Sequence, residues 1–344
     1  MNRFSFLSQQ TDRQRLPVAL LSGFLGSGKT TLVNALLRDP RMAGTAVAVN
    51  EFGDIPLDRD LIDHGEDKTV VMANGCLCCN LAGDMEDAVM RLFSRRQDGQ
   101  VPQFQRLLIE PSGLSDPAPI AQAILRNPVM SRAMRLEAIV TTIDSLFAET
   151  QLVRHPETRK QAALADRLIL TKTDLSDAAG LRRLQTILRD HNPAAPILTA
   201  ANGAIDAGSL FPPSFFDPAN PVSAPHRSFL FAEAIEPDHL GRYAAASFVA
   251  DRPLAWRAFE TWLRQVRIAH AEDLLRIKGM LNIEGVDGPV VIQGVHHVVN
   301  APVELDAWPE NQRRSRLVLI ADRATIAAAT ESWATALPGM TASQ

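Results

Sequence analysis

At 344 residues, with 46% apolar and 22% charged side chains, the chain is too long for one small core and has the composition of a folded globular protein of two domains. Its net charge of −4, from 35 basic against 39 acidic residues, implies no general surface for nucleic acid or another polyanion. No segment approaches the roughly 20 apolar residues that span a bilayer, and the N-terminal stretch has no apolar core of secretory-signal length, so a cytoplasmic protein with no membrane partner is expected.

The first part of the chain alternates short apolar runs with helical patterns, which predicts an α/β fold with a largely parallel sheet flanked by helices. Strands are expected at residues 18–21, 46–49, 69–72, 106–109, 138–143, 168–170 and 196–198. A helix is expected at 31–38, and Met85, Val89, Leu92 and Phe93 predict another over 84–97, with Asp84 as its N-cap and Arg95 and Arg96 in its last turn. Pro212, Pro213, Pro218, Pro221 and Pro225 then crowd a segment that can sustain neither a helix nor an inner strand, so it reads as a linker. Beyond it, a smaller α/β domain is expected. Its elements are a strand at 229–232, a helix at 254–266 with Trp256, Phe259, Leu263 and Val266 on one face, strands at 274–283, 290–299 and 317–321, and a helix at 325–337. The expected division is a first domain of residues 1–210, a linker of 211–226 and a second domain of 227–340.

Gly23-Phe-Leu-Gly-Ser-Gly28-Lys29-Thr30 fits the pattern G-x-x-x-x-G-K-[ST] between an expected strand and an expected helix, the context a phosphate loop requires. Gly23, Gly26 and Gly28 let backbone N–H groups, Ser27's among them, curl round phosphate oxygens, and the helix N-terminus at Thr30 and Thr31 adds positive charge. Lys29 is expected to reach the β- and γ-phosphates and Thr30 to offer its hydroxyl to Mg²⁺.

The apolar run at 106–109 ends in Glu110, where a P-loop protein places its second Mg²⁺ acid, and Gly113 then sits where a backbone N–H senses the γ-phosphate. Lys29 and Glu110 are thus the expected catalytic groups. No Gln follows Gly113 (the next residue is Leu114), so unaided hydrolysis is expected to be slow and the catalytic base is not identified. Thr171-Lys172-Thr173-Asp174 is similar to the base-reading N-K-x-D turn of GTPases. The Asp174 carboxylate would accept from guanine, and the Lys172 stem would cover the ring. Thr171 replaces the usual Asn, so that residue's tethering contact is expected to be weakened or lost. Ala201, after the last expected strand, would supply a backbone N–H to the base. These features favour GTP over ATP.

All three cysteines, Cys76, Cys78 and Cys79, lie within four consecutive positions, which excludes a distributed disulfide framework and points to metal or redox chemistry, although the C-x-x-C spacing of a redox dithiol is absent. Thiolates are soft ligands for Zn²⁺ and related ions. Cys76 and Cys78 face one way on an extended segment while Cys79 faces the other. Either the loop curls to put all three on one ion, or fewer bind and another group completes the shell. An incomplete protein shell suits an ion that must leave again.

GFLGSGKTT, NEFGDIPLD (residues 50–58), GCLCC, IEPSGLSDP (109–117) and TKTD follow one another in this order, which resembles the CobW-like family of metallochaperone GTPases, relatives of UreG and HypB. The resemblance extends to residues 274–279 and 291–296, which look like strands of that family's C-terminal domain. It implies GTP hydrolysis with Mg²⁺, a Zn²⁺ or Co²⁺ ion on Cys76, Cys78 and Cys79, and delivery to a client protein or a cobalamin-synthesis enzyme. It also implies switch regions at 50–58 and 110–116, and related GTPases make a nucleotide-dependent homodimer an expectation. No long His-rich tract is present, so metal storage is not expected. His296 and His297 would face opposite sides of a strand and so make a poor ligand pair. The rival readings are a P-loop small-molecule kinase and a passive zinc-binding regulatory module.

Overall fold

The computed structural model describes residues 15–49, 71–73, 81–201, 204–211, 243–305, 308, 313–337 and 341–343. The chain divides into two compact units, one of Leu16–Ile187 with Ile197–Pro212 and the other built mainly on Pro213–Gln344.

The first unit holds strands β1 (Leu16–Gly23), β2 (Thr45–Val49), β3 (Val71–Ala73), β4 (Arg106–Glu110), β5 (Met134–Asp144), β6 (Arg167–Thr171) and β7 (Ile197–Thr199). They form one sheet in the order β3-β2-β4-β1-β5-β6-β7, and every pairing is parallel. Parallel strands with both faces covered read as continuous apolar runs, and Val18, Ala19, Leu20 and Leu21 of the central β1 are all buried. The longer intervening helices are α1 (Lys29–Leu37), α2 (Leu81–Gln97), α3 (Ala118–Arg126), α4 (Ala148–Arg154), α5 (Pro156–Leu164) and α6 (Ala178–His191). Ala19 and Leu21 share a core with Leu32, Val33 and Leu36 of α1, so alternate residues of β1 face that helix.

The expected strands of this unit all have counterparts, most with one or both ends moved by a residue or more, and residues 69 and 70 of the expected strand at 69–72 lie outside the described residues. Helix α2 begins at Leu81, so Asp84 lies inside the first turn rather than at the N-cap. Leu81 and Ala82 are good helix formers, and the chain enters the helix before its first acidic residue.

The second unit is antiparallel. It comprises β8 (Tyr243–Ala250), α7 (Trp256–Ala269), β9 (Leu274–Leu281), β10 (Val290–Val295), β11 (Val298–Val299), β12 (Val303–Glu304), β13 (Ser315–Asp322), α8 (Arg323–Ala336) and β14 (Thr341–Ser343). The sheet runs β11-β10-β9-β13-β8-β14, with β12 paired to β10. Alternate residues of β8 and β13 (Ala246, Phe248 and Ala250; Leu317, Leu319 and Ala321) join Phe259, Trp262 and Val266 of α7 and Trp333 of α8 in one core. Trp262 meets Trp333 edge-on at 4.6 Å between ring centres, and Phe248 lies 4.7 Å from Trp333. These offset geometries are the ones aromatic quadrupoles favour.

Three expectations for this unit change. Residues 290–299 are not one strand: β10 turns back at His296 and His297 into β11, pairing Val295 with Val298. His296 takes φ of 51°, a left-handed conformation that His tolerates better than most side chains and that a two-residue hairpin turn uses. His296 is buried and His297 exposed, so they are divided by a turn and not by the pleat of a strand. The α7 face is Phe259, Trp262, Leu263 and Val266, with Trp256 only partly buried at its rim. The expected strand at 229–232 and most of the expected linker fall outside the described residues.

Candidate nucleotide and metal site

The glycine loop joins β1 to α1. Gly23 has φ of 141°, and a Cβ there would stand 2.2 Å from Thr142 Oγ1 and 2.6 Å from its carbonyl oxygen, so position 23 admits no side chain. Gly26 (φ 72°) and Gly28 (φ 87°) also take positive φ, and space beside Gly26 is open. Ser27 is fully buried, its Oγ 2.7 Å from Thr142 Oγ1. The backbone is thereby held in the curled form that exposes N–H groups to an anion. Lys29 Nζ donates to the carbonyls of Gly23 (3.0 Å) and Phe24 (3.2 Å), so its ammonium folds back into the loop that precedes it. Thr31 is exposed in the first turn of α1.

Thr30 and Glu110 are eighty residues apart in sequence, yet Thr30 Oγ1 donates to Glu110 Oε1 at 3.2 Å. Glu110, only 4% exposed, ends β4, the strand adjacent to β1. A hydroxyl and a buried carboxylate side by side are the hard oxygen donors that Mg²⁺ requires. Beyond Glu110, a turn closes with Ser115 N–H donating to the Ser112 carbonyl at 2.9 Å. At its centre a Cβ on Gly113 would meet Leu25 N at 2.7 Å, so the acidic loop and the phosphate loop touch backbone to backbone.

Lys172 also takes a left-handed conformation, φ 56°. Its Nζ pairs with Asp144 Oδ2 at 2.6 Å, and Asp144 is buried at the end of β5. Asp174 is exposed in the single 3₁₀ turn Thr173–Leu175. Thr173 Oγ1 donates to the Ala200 carbonyl at 3.3 Å, which ties that turn to the segment carrying Ala201.

The tether expected to be weakened at Thr171 is present. Its hydroxyl donates to the Ser27 carbonyl at 2.8 Å and lies 3.2 Å from that of Ile143. A short side chain suffices because Thr171 sits directly against Gly28, at 3.5 Å from a Cβ built there. Thr171→Val, equal in shape but without the donor, is expected to lower stability by about 1–3 kcal/mol, the cost of an orphaned buried acceptor. A lower urea midpoint at unchanged m would record it.

Cys76, Cys78 and Cys79, like residues 50–58, lie outside the described residues. The strands that lead to them are described: β3 ends at Ala73 and β2 at Val49. The order β3-β2-β4-β1 therefore sets the departures of the cysteine segment, residues 50–58, Glu110 and the glycine loop side by side at one edge of the sheet. With strands about 4.8 Å apart, three steps separate β3 from β1 by roughly 14 Å. Among the described residues, no group of three His, Cys, Asp or Glu side chains is arranged to hold a metal, and no helix is long and apolar enough to cross a membrane. Thr142, Asp144, Lys160 and Gln161 brace these loops and carry no local motif that would have marked them.

A parallel sheet with a glycine loop between its central strand and first helix defines the class of P-loop nucleotide-binding proteins. Within that class, the chain belongs to the CobW/HypB/UreG family: residues 17–199 match its nucleotide-binding domain, and residues 243–337 match the CobW C-terminal domain. It is 32% identical to the zinc chaperone YjiA of Escherichia coli over 89% of this chain and 93% of that protein. It is 28% identical to the zinc chaperone CobW of Pseudomonas aeruginosa over 94% and 92% of the two chains. The crystal structure of Zn(II)-bound YjiA GTPase from E. coli superposes with a TM-score of 0.65 at 25% identity, covering 91% of this chain and 98% of that one.

Proposed function

We propose that this protein is a GTP-hydrolysing metallochaperone. It takes a thiophilic divalent ion, zinc or cobalt, on Cys76, Cys78 and Cys79 and passes it to a client protein in the cytoplasm. The observation that carries this reading is the strand order β3-β2-β4-β1, which starts the cysteine segment and the phosphate-reading loops from the same ends of parallel strands two and three places apart in one sheet. Ligands of open α/β sheets bind at the carboxyl ends of strands, so the nucleotide and the ion share one edge.

In this reading, the backbone of Gly23, Gly26, Ser27, Gly28, Thr30 and Thr31 cradles the phosphates and Lys29 meets their charge. Thr30 and Glu110 hold Mg²⁺, which offsets the negative charge on the phosphates. Gly113 reads the γ-phosphate through its N–H. Asp174 accepts from guanine, Lys172 covers the ring from the position Asp144 gives it, and Ala201 donates a backbone N–H to the base. The relatives named as zinc chaperones, and one solved as a Zn(II)-bound GTPase, favour zinc as the cargo. The domains this reading assigns are a GTPase domain of residues 1–210, a linker of 211–226 and a C-terminal domain of 227–340.

A carrier differs from a passive binder in that the nucleotide alters its hold on the ion. By linkage, the factor by which GTP changes metal affinity equals the factor by which metal changes GTP affinity. Titrating Zn²⁺ into apo, GDP-bound and GTP-analogue-bound protein at fixed pH and Mg²⁺ is expected to give affinities that differ by roughly 5–150-fold, or about 1–3 kcal/mol. Three equal affinities would leave a GTPase with a metal site and no gated delivery.

A further inference from the structure

Helix α5 touches both loops that face the phosphates. At its start, His155 lies against the glycine loop, its ring 4.5 Å from that of Phe24. One turn later, Lys160 pairs with Asp116 at 2.6 Å. The next residue, Gln161, is 1% exposed, and its Nε2 donates to two carbonyls of the acidic loop, Gly113 O at 3.0 Å and Ser115 O at 3.0 Å. A carboxamide has two N–H donors, so both are spent on the turn that follows Glu110. Two facing carbonyls also fix which end of the amide is nitrogen. Gln161 Oε1, although buried, accepts from no group among the described residues. The side chain is therefore placed for what it gives to the loop. Its backbone is anchored from below, where Thr141 Oγ1 donates to the Gln161 carbonyl at 3.1 Å.

We propose that Gln161 is the positioning residue of the acidic loop. It holds the Ser112–Ser115 turn against the glycine loop, so that Glu110 and Gly113 are in place before GTP and Mg²⁺ arrive. Lys160, through Asp116, steadies the far end of the same loop. Gln161 touches neither nucleotide nor metal and acts through Gly113 and Ser115. Its effect therefore falls on hydrolysis and on Mg²⁺ use, and not on the affinity for GDP, which rests on the glycine loop and the base-reading turn.

This inference rests on the reading of Glu110 and Gly113 given above, so the test includes Glu110→Ala as its reference. Gln161→Glu keeps size and shape but sets a carboxylate against two carbonyl oxygens. At pH 8 it is expected to lower the rate at saturating GTP by about tenfold or more, what one lost hydrogen bond amounts to. The half-saturating Mg²⁺ concentration should rise, with GDP affinity held to within about threefold. A carboxyl buried there has its pKa raised and, once protonated, regains one donor. The activity of Gln161→Glu relative to wild type, read at temperatures where both are fully folded, should therefore climb as pH falls. Gln161→Met, uncharged and of similar length, should show the lower rate without the recovery. If Glu110→Ala retains wild-type hydrolysis, the assignment of the loop fails. If Glu110→Ala is inactive while folded Gln161→Glu and Gln161→Met turn over as wild type, the role of Gln161 is overturned. Loss of folding in both variants would equally overturn it, in favour of a structural residue.

Discussion

Lys29→Ala is expected to abolish tight GTP binding and hydrolysis while leaving the protein folded. Lys29 is 8% exposed and its ammonium reaches the Gly23 and Phe24 carbonyls, which places its charge inside the glycine loop. Each charge-assisted hydrogen bond is worth roughly 1.5–3 kcal/mol, and two of them correspond to about 10²–10⁴-fold in affinity. The loop itself should survive, because Gly23 remains fitted to Thr142 and Ser27 remains tied to Thr142 and Thr171. Titration of a fluorescent GTP analogue, beside a thermal melt, separates the two effects. A folded Lys29→Ala protein with wild-type turnover would remove the phosphate-loop assignment.

Replacing Cys76, Cys78 and Cys79 together by serine is expected to abolish stoichiometric zinc binding and leave GTP binding largely unchanged. Serine keeps size but offers a hard, protonated hydroxyl where a soft thiolate is needed. The wild-type affinity carries its own signature. Thiols of ordinary pKa near about 8.5 must lose protons to bind, so zinc affinity should rise with pH through the neutral range and fall in acid. Competition with a chromophoric chelator at several pH values measures both. Retained stoichiometric binding in the triple variant would relocate the ion, with His296 and His297 examined next.

Much of the first unit was legible because its signals are local. The apolar runs that became β1, β4, β6 and the latter part of β5 are buried on both faces, a condition that leaves no polar alternation to confuse; the alternating Met134–Glu137 start of β5 lay outside the expected strand. The glycine loop, Glu110 and the Lys172–Asp174 turn combine a chemical requirement with a strand end, and each is where its pattern placed it. What stayed hidden depends on packing between distant segments. Thr171 differs from the usual Asn, and only its contact with Ser27 O shows that the tether is kept. Gln161 sits in a helix whose sequence, Pro-Glu-Thr-Arg-Lys-Gln, reads as an ordinary solvated face, yet it is buried against the acidic loop. The hairpin at His296 was obscured by β-branched residues on both sides, which read as one continuous strand. Strand β8, rich in Ala, has too little β-propensity to announce itself.

The sheet order has a consequence for the making of the chain. Among the described strands β1 is synthesised first, yet it lies in the middle of the finished sheet, between β4 and β5. Residues 16–23 therefore leave the ribosome well before residues 106–110 exist to pair with them, an interval of about 4–17 s at roughly 5–20 residues per second. For that time an apolar ribbon with both edges unpaired has no native partner, a state prone to association with other chains. A central strand that waits for partners from later in the chain thus favours slow assembly of this sheet.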